Sequence, residues 1–187
     1  WVSRAAFKLV HALDTFALDP TGTIAWDLGA STGGFTEVLL TRGAARVVAV
    51  DVGHGQLHPR LAHDARVLVL EGVNVRALPE GLPADLPAPS FLTVDLSFIS
   101  LIKALPAALS LAAPGARLVA LVKPQFEVGR SAVGRGGLVR DPVARQAALD
   151  RVCRFLDAAG WPVLGTAESP IPGGDGNREF LLAASRA

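Results

Sequence analysis

Methionine is absent from the 187 residues, and cysteine occurs once, as Cys153. A chain without methionine has no initiating residue of its own, so it reads as a fragment or a processed product with something upstream. The lone thiol excludes an internal disulfide framework and an all-cysteine metal site. It falls in a helical pattern with Val152, Phe155 and Leu156, which reads as a buried, inert position. Blocks of like charge are missing too: 19% of residues are charged and the formal net charge is +1. With neither a polybasic arm nor an acidic tail, contact with nucleic acid needs a local patch. No basic region followed by an apolar core opens the chain, so no signal peptide is expected. The uncharged run Ala104–Ala116 is too short to span a bilayer and carries Pro106, Pro114 and Gly115. Repeats, linkers and a second domain are likewise not visible, and residues 1–187 suit one domain with an ordinary core.

Lysine is scarce: fifteen arginines stand against Lys8, Lys103 and Lys123. Arginine is locked in its charged form, whereas lysine can lose its proton where its surroundings permit. Lys123 follows the apolar run "LVALV" and precedes a proline, which puts a rare lysine at the end of a buried strand. Taken alone, it could simply cap that strand and snorkel to water.

Short apolar runs alternate with helical patterns along the first two thirds of the chain. The runs are Thr23–Asp27, Arg46–Asp51, Arg66–Leu70, Ser90–Asp95 and Arg117–Lys123. Between them lie helical patterns at Phe35–Thr41, Leu57–Ala62 and Leu101–Leu111, and a polar, Pro-rich stretch at 76–89. Near-continuous Val/Ile/Leu runs joined by helices signal a parallel sheet covered on both faces. A Gly-rich loop (124–139) then leads to a helix started by Asp141, with Pro142 at its first position, and stopped by Gly160. Two last strands, Pro162–Glu168 and Arg178–Ala184, are joined by a loop short enough for an antiparallel hairpin. This order predicts an α/β, Rossmann-like class I methyltransferase fold: a mostly parallel seven-stranded sheet with an antiparallel last strand and helices on both faces.

"TIAWDLGASTGGF" is a strand, a Gly-rich turn and the start of a helix, with Asp51 ending the next run 22 residues after Gly29. An acid there can accept hydrogen bonds from both ribose hydroxyls of an adenosine-type cofactor. The dinucleotide fingerprint fails, because its second glycine falls on Ser31. Asp27, on the strand before the turn, suits a ligand bearing an ammonium or sulfonium better than a pyrophosphate. S-adenosyl-L-methionine fits that preference. Asn74, after the third run, is a candidate for the adenine edge, or else a turn asparagine.

Ligands of an open α/β sheet sit beyond the carboxyl ends of its strands, which gathers Asp95 and Lys123 at the same edge as Asp27 and Asp51. The reversed last strand starts at that edge, with Glu179. In the opening helix, Phe7, Val10, Leu13 and Phe16 form one side, and Arg4, Lys8, His11 and Thr15 line another. The stretches "VSRAAFKL", "DLGASTGGFTEVLL", "VVAVDVGHGQL", "VDLSFISL", "LVKPQFEVGR" and "NREFLL" together resemble the haemolysin A (TlyA) family of ribosomal RNA 2'-O-methyltransferases, within the broader FtsJ-like group. The resemblance runs in order along essentially the whole chain. It implies a catalytic tetrad of Lys8, Asp95, Lys123 and Glu179. For the methyl donor it implies the turn Asp27, Gly29, Ala30, Ser31, Thr32, Gly33, Gly34 and Phe35, with Asp51, Val52, Asn74 and Asp95.

The resemblance further implies a cytoplasmic enzyme acting on ribosomal RNA or ribosomal subunits, methylating a cytidine, with no membrane partner. Family members carry a small RNA-binding domain ahead of this region, and Trp1-Val2 is similar to the end of the linker from it. Lys123 is the candidate for the 2'-oxygen, as general base or as a charged donor; both stay open. Arg4 and Lys8, with Arg130 and Arg135 in the Gly-rich loop, are candidates for RNA phosphates. Exocyclic-amine methylation calls for an Asn/Asp-Pro-Pro-aromatic run where this chain has "DLSF", and cytosine-C5 methylation calls for a nucleophilic cysteine away from Cys153. The remaining alternatives are a membrane-active haemolysin, which the lack of a spanning segment argues against, an RNA-binding protein without transferase activity, and a methyltransferase acting on a small molecule.

Overall fold

Val, Leu and Ala fill the inner strands, and such runs are stable only where helices cover both faces of the sheet. In the computed structural model, which describes residues 1–187, five runs pair in parallel. They are β1 (Ile24–Leu28), β2 (Arg46–Asp51), β3 (Val67–Glu71), β4 (Phe91–Val94) and β5 (Arg117–Val122). β7 (Phe180–Ser185) lies antiparallel between β5 and β6 (Val163–Glu168), giving one seven-stranded sheet in the order β3-β2-β1-β4-β5-β7-β6. β6 alternates half-buried and exposed residues, as an edge strand with one solvated face must.

One face of the sheet is covered by α1 (Ala6–Thr15), α2 (Gly34–Thr41) and α3 (Pro59–Ala62), whose Leu9, Phe35, Leu39 and Leu61 share a core with Val47 and Leu121. The other is covered by α4 (Leu101–Ala104), α5 (Pro106–Leu111) and α7 (Pro142–Ala158), packed on Trp26, Leu92 and Leu118. α7 starts as its sequence demands: Asp141 accepts a hydrogen bond from the Val143 N–H at 2.9 Å, and Pro142 opens the helix. No helix is long and apolar enough to cross a membrane.

Three expectations are corrected. The helix expected over Leu101–Leu111 is two, because Pro106 lacks an N–H and its ring excludes the carbonyl one turn back. The loop 124–139 is not featureless: α6 (Pro124–Glu127) and 3₁₀ turns at Arg130–Ala132 and Arg135–Gly137 lie within it. In α1 the inward residues are Ala6, Lys8, Leu9, Ala12 and Leu13, while Phe7 is 51% exposed. This roll brings Lys8 to its buried partner Glu179, the residue before β7.

Candidate active site

The sheet order reverses between β1 and β4, so the connections leaving their carboxyl ends run to opposite faces and frame a crevice. Gly29 lines that crevice. Its N–H and that of Ala30 donate to the Val50 carbonyl at 2.8 and 3.1 Å, and its φ is +86°. A β-carbon at Gly29 would lie 2.3 Å from the Asp95 carbonyl oxygen, so only glycine lets the turn approach β4 this closely. Ser31 follows at φ +49°, and its N–H donates to Asp51 Oδ2 at 2.8 Å. The other oxygen of Asp51 accepts from the Gly53 N–H, also at 2.8 Å, so the carboxylate is fixed at the end of β2.

A cavity of about 560 Å³ opens over this turn, lined by Gly29, Ser31, Asp51, Val52, Asn74 and Asp95 among others. Val52 is 71% exposed, and with Val73 and Val75 it offers apolar walls for a flat ring. Asn74 Oδ1 accepts from the Arg76 N–H at 3.0 Å, so the residue is a turn asparagine that also faces the cavity, its amide nitrogen still free. Gln56 and Arg76, which sequence reasoning did not single out, complete the rim.

Of the rest of the turn, none lines this cavity. Phe35 belongs to the core, and β-carbons at Gly33 and Gly34 would strike Leu61 and Ser3, so these glycines serve packing. Ala30 is buried, and Thr32 is exposed with its carbonyl accepting from the His58 N–H. Asp27 lies beneath the turn, fully buried, and accepts from Thr36 Oγ1 at 2.7 Å and Thr93 Oγ1 at 3.0 Å. It braces β1, α2 and β4 rather than facing a ligand. Burial pushes its carboxyl up to about 7 against the two hydroxyl donors, and the nearby Asp95 adds to the rise.

A second cavity, of about 460 Å³, shares Ser97 and Phe98 with the first and continues to Lys123, Gln125, Asp175 and Glu179. The four residues expected as a tetrad form two ion pairs: Lys123 and Glu179 line this cavity, Asp95 lines the first, and Lys8 is buried behind Glu179. Lys123 Nζ lies 2.7 Å from Asp95 Oδ1 and donates to Ser97 Oγ at 2.9 Å. The contact to Asp95 is close in distance but poorly aligned, and Oδ1 has no hydrogen-bond partner. In the other pair, Lys8 Nζ donates to Glu179 Oε2 at 2.5 Å. Burial pushes the Glu179 carboxyl up, Lys8 and Lys123 oppose that, and Asp95 adds to it. The pull of two lysines and the push of Asp95 place Glu179 within electrostatic reach of all three partners. Lys8 is 7% exposed and committed to Glu179, which removes it as a contact for RNA phosphates. Arg4, Arg130 and Arg135 are exposed at the periphery.

Phe98 was not anticipated. It is 90% exposed at φ +64°, a conformation that costs a non-glycine residue, and its ring sits 5.3 Å from that of Phe126. Its only sequence signal is an aromatic just past the carboxyl end of a parallel strand. Glu127 was also missed. Buried under α4, it accepts from Ser100 Oγ and the Leu101 N–H at 2.6 and 2.7 Å and fixes the segment leading out of Phe98.

A sheet of this order, with a glycine cradle at the switch point and a carboxylate ending the second strand, defines a class I methyltransferase fold. The comparisons agree. The model of the FtsJ-like methyltransferase family matches residues 1–186. The chain is 51% identical over 183 residues to the 16S/23S rRNA (cytidine-2'-O)-methyltransferase TlyA of Mycobacterium tuberculosis, covering 97% of this chain and 67% of that one. It is 39% identical to the Hemolysin A of Brachyspira hyodysenteriae, over 97% of this chain and 75% of that one. A solved structure of a hemolysin-labelled protein from Lactococcus lactis superposes with a TM-score of 0.95 at 41% identity, over 100% of this chain and 89% of its own. This chain belongs to the FtsJ-like methyltransferase family.

Proposed function

We propose that the chain transfers a methyl group from S-adenosylmethionine to a ribose 2'-hydroxyl of ribosomal RNA, at a cytidine. The observation that carries this reading is the two ion pairs, Lys123–Asp95 and Lys8–Glu179, which set Asp95 on the first cavity and Lys123 and Glu179 on the second. It is supported by the relative named as an rRNA (cytidine-2'-O)-methyltransferase.

The first cavity fits the donor on three counts. Its volume suits a nucleoside with a short amino-acid arm, the Gly29 and Ser31 backbone lines it, and Asp51 presents two carboxylate oxygens with free lone pairs. Asp51 would hold the ribose hydroxyls, Asn74 the adenine edge, and Val52 and Val75 the ring faces. Bound there, the donor supplies an electrophilic methyl on a sulfonium that departs as a neutral thioether, so no general acid is needed for it.

The acceptor hydroxyl must line up with that methyl and give up its proton, to water in the open cavity, as the carbon–oxygen bond forms and the carbon–sulfur bond breaks. Lys123, pinned between Asp95 and Ser97, is placed to hold the oxygen and stabilise the charge gathering on it. Glu179, held by Lys8, lines the same cavity as Lys123. Phe98, exposed at the boundary of the two cavities, offers a ring on which the acceptor base can stack.

Calorimetric titration tests the donor half of this reading. S-adenosylmethionine binds with heat, NAD does not, and Asp51→Ala weakens the binding at least about tenfold, as loss of a bonded carboxylate implies. Equal binding of both ligands, or an unaltered Asp51→Ala, would remove the donor assignment.

A further inference from the structure

The hairpin loop between β6 and β7 brings a carboxylate into the acceptor cavity that no part of the tetrad needs. Asp175 lines that cavity together with Gln125 of α6. Three hydrogen bonds within its own surroundings hold it: Gln125 Nε2 donates to Oδ2 at 3.0 Å, Asn177 Nδ2 to Oδ2 at 2.8 Å, and the Asn177 N–H to Oδ1 at 2.9 Å. Asn177 is itself immobile. It is 2% exposed, its Oδ1 accepts from the Val139 N–H at 2.9 Å, and its Nδ2 donates to the Gly137 carbonyl at 2.9 Å.

Gly173 sets the distance to the chemistry. A β-carbon there would lie 2.4 Å from Glu179 Oε1 and 2.9 Å from Asp175 Oδ1. The two carboxylates therefore flank one glycine, and Asp175 stands beside Glu179 in the cavity that Lys123 also lines.

Around Asp175 the available group is an acceptor, while Lys123 supplies the donor elsewhere in the same cavity. An ionised carboxylate only accepts, so the Gln125 amide must turn its nitrogen to Asp175. Its carbonyl oxygen is left buried with no hydrogen-bond partner. Oδ1 of Asp175, with one bond from Asn177, keeps a lone pair, and the residue is exposed to the cavity. Burial pushes the carboxyl up, and the bonds from Asn177 and Gln125 outweigh it, leaving it below the usual range and charged at neutral pH. Acceptors facing a nucleobase favour an edge that carries an amino group and repel one that carries a carbonyl. Carboxylate to the cytosine amino group is one of the standard pairings.

We infer that Asp175, held by Gln125 and Asn177, is a specificity-determining residue that accepts a hydrogen bond from the exocyclic amino group of the acceptor cytosine and disfavours uracil. This rests on the proposed transfer to RNA.

The test is kcat/KM for methyl transfer into ribosomal RNA carrying C or U at the mapped position of 2'-O-methylation. The wild-type chain favours C by about tenfold or more. Asp175→Ala brings the ratio close to one, and Asp175→Glu restores part of it. A carboxylate that only braces the hairpin would lower both rates together and leave the ratio alone. Gln125→Leu guards against a folding failure at 175, because the Asn177 bonds remain; it lowers the ratio several-fold. A wild-type enzyme indifferent to the base, or an Asp175→Ala ratio equal to wild type, overturns the inference while the transfer to RNA stands. No methyl on any ribose with the wild-type chain overturns the transfer reading, and this inference with it.

Discussion

Lys8 of α1 and Glu179, the residue before β7, 171 positions apart, form a buried ion pair at 2.5 Å in which the lysine side chain is 9% exposed and the glutamate 3%. It ties the first helix to the segment entering the last strand, and Glu179 lines the acceptor cavity. Removing one partner from such a pair costs about 3–5 kcal/mol, because the other is left buried and unpaired. Lys8→Ala is therefore expected to lower the unfolding free energy by roughly 3 kcal/mol. Lys8→Met with Glu179→Leu is expected to recover most of the stability without recovering methylation. Urea denaturation of the three variants checks this; a double variant no more stable than Lys8→Ala contradicts it.

Asp27 gives stability a pH dependence of definite sign. Its carboxyl titrates near 7 when folded, against an ordinary value of 3.8. Below that ordinary value both states are protonated and its favourable contribution is full. As the pH rises from about 4 to 7 the unfolded chain ionises first, and the contribution is lost, by about 4 kcal/mol in all. Asp27→Asn cannot ionise. The stability of the variant relative to wild type is expected to climb over that window and level off above it. Parallel denaturation curves from pH 4 to 8 measure the difference; a flat one contradicts the account.

Gly29→Ala meets two obstacles at once. The backbone there is left-handed, which costs an alanine roughly 1–2 kcal/mol, and the new methyl strikes the Asp95 carbonyl oxygen. Gly55→Ala, also left-handed at φ +65° but in open space, carries the first cost alone. Thermal melts are expected to show a larger loss at 29 than at 55, and only the first substitution is expected to weaken donor binding. Equal effects would mean that the close approach of the turn to β4 is unimportant.

Phe98 holds a conformation that costs on the order of 1–3 kcal/mol while burying almost nothing. Phe98→Gly is expected to raise the melting temperature yet lower methylation of RNA about tenfold or more through lost stacking. A variant that is neither more stable nor less active would make the exposed ring idle.

Much of this was legible in the chain itself. The strands could be read because runs such as "RVVAVD" and "RLVALV" are buried on both faces and need no alternation. The turn at Gly29, the carboxylate at Asp51 and the cap at Asp141 are local signals, and each stands where its neighbours in sequence put it. Lys8 was harder: helical spacing alone puts it beside His11 on a solvated face, and its buried partner Glu179 is distant in sequence. Asp27 was misjudged for a related reason. Sequence shows an acid before a turn, but not the two threonines, from α2 and β4, that enclose it. Phe98, Gln125 and Asp175 escaped because exposure at a positive φ and a carboxylate held by an amide from another segment come from loops meeting in space.

The central claim is transfer to a ribose oxygen through Lys123, and nucleoside mass spectrometry tests it most directly. Ribosomal RNA incubated with the chain and labelled S-adenosylmethionine is digested to nucleosides, with Lys123→Ala in parallel and its donor binding measured separately. The account predicts 2'-O-methylcytidine from the wild-type chain. It predicts a loss of at least about 100-fold for Lys123→Ala, with donor affinity largely unaltered. A methyl group found on a base, or a Lys123→Ala variant that methylates normally, would contradict it.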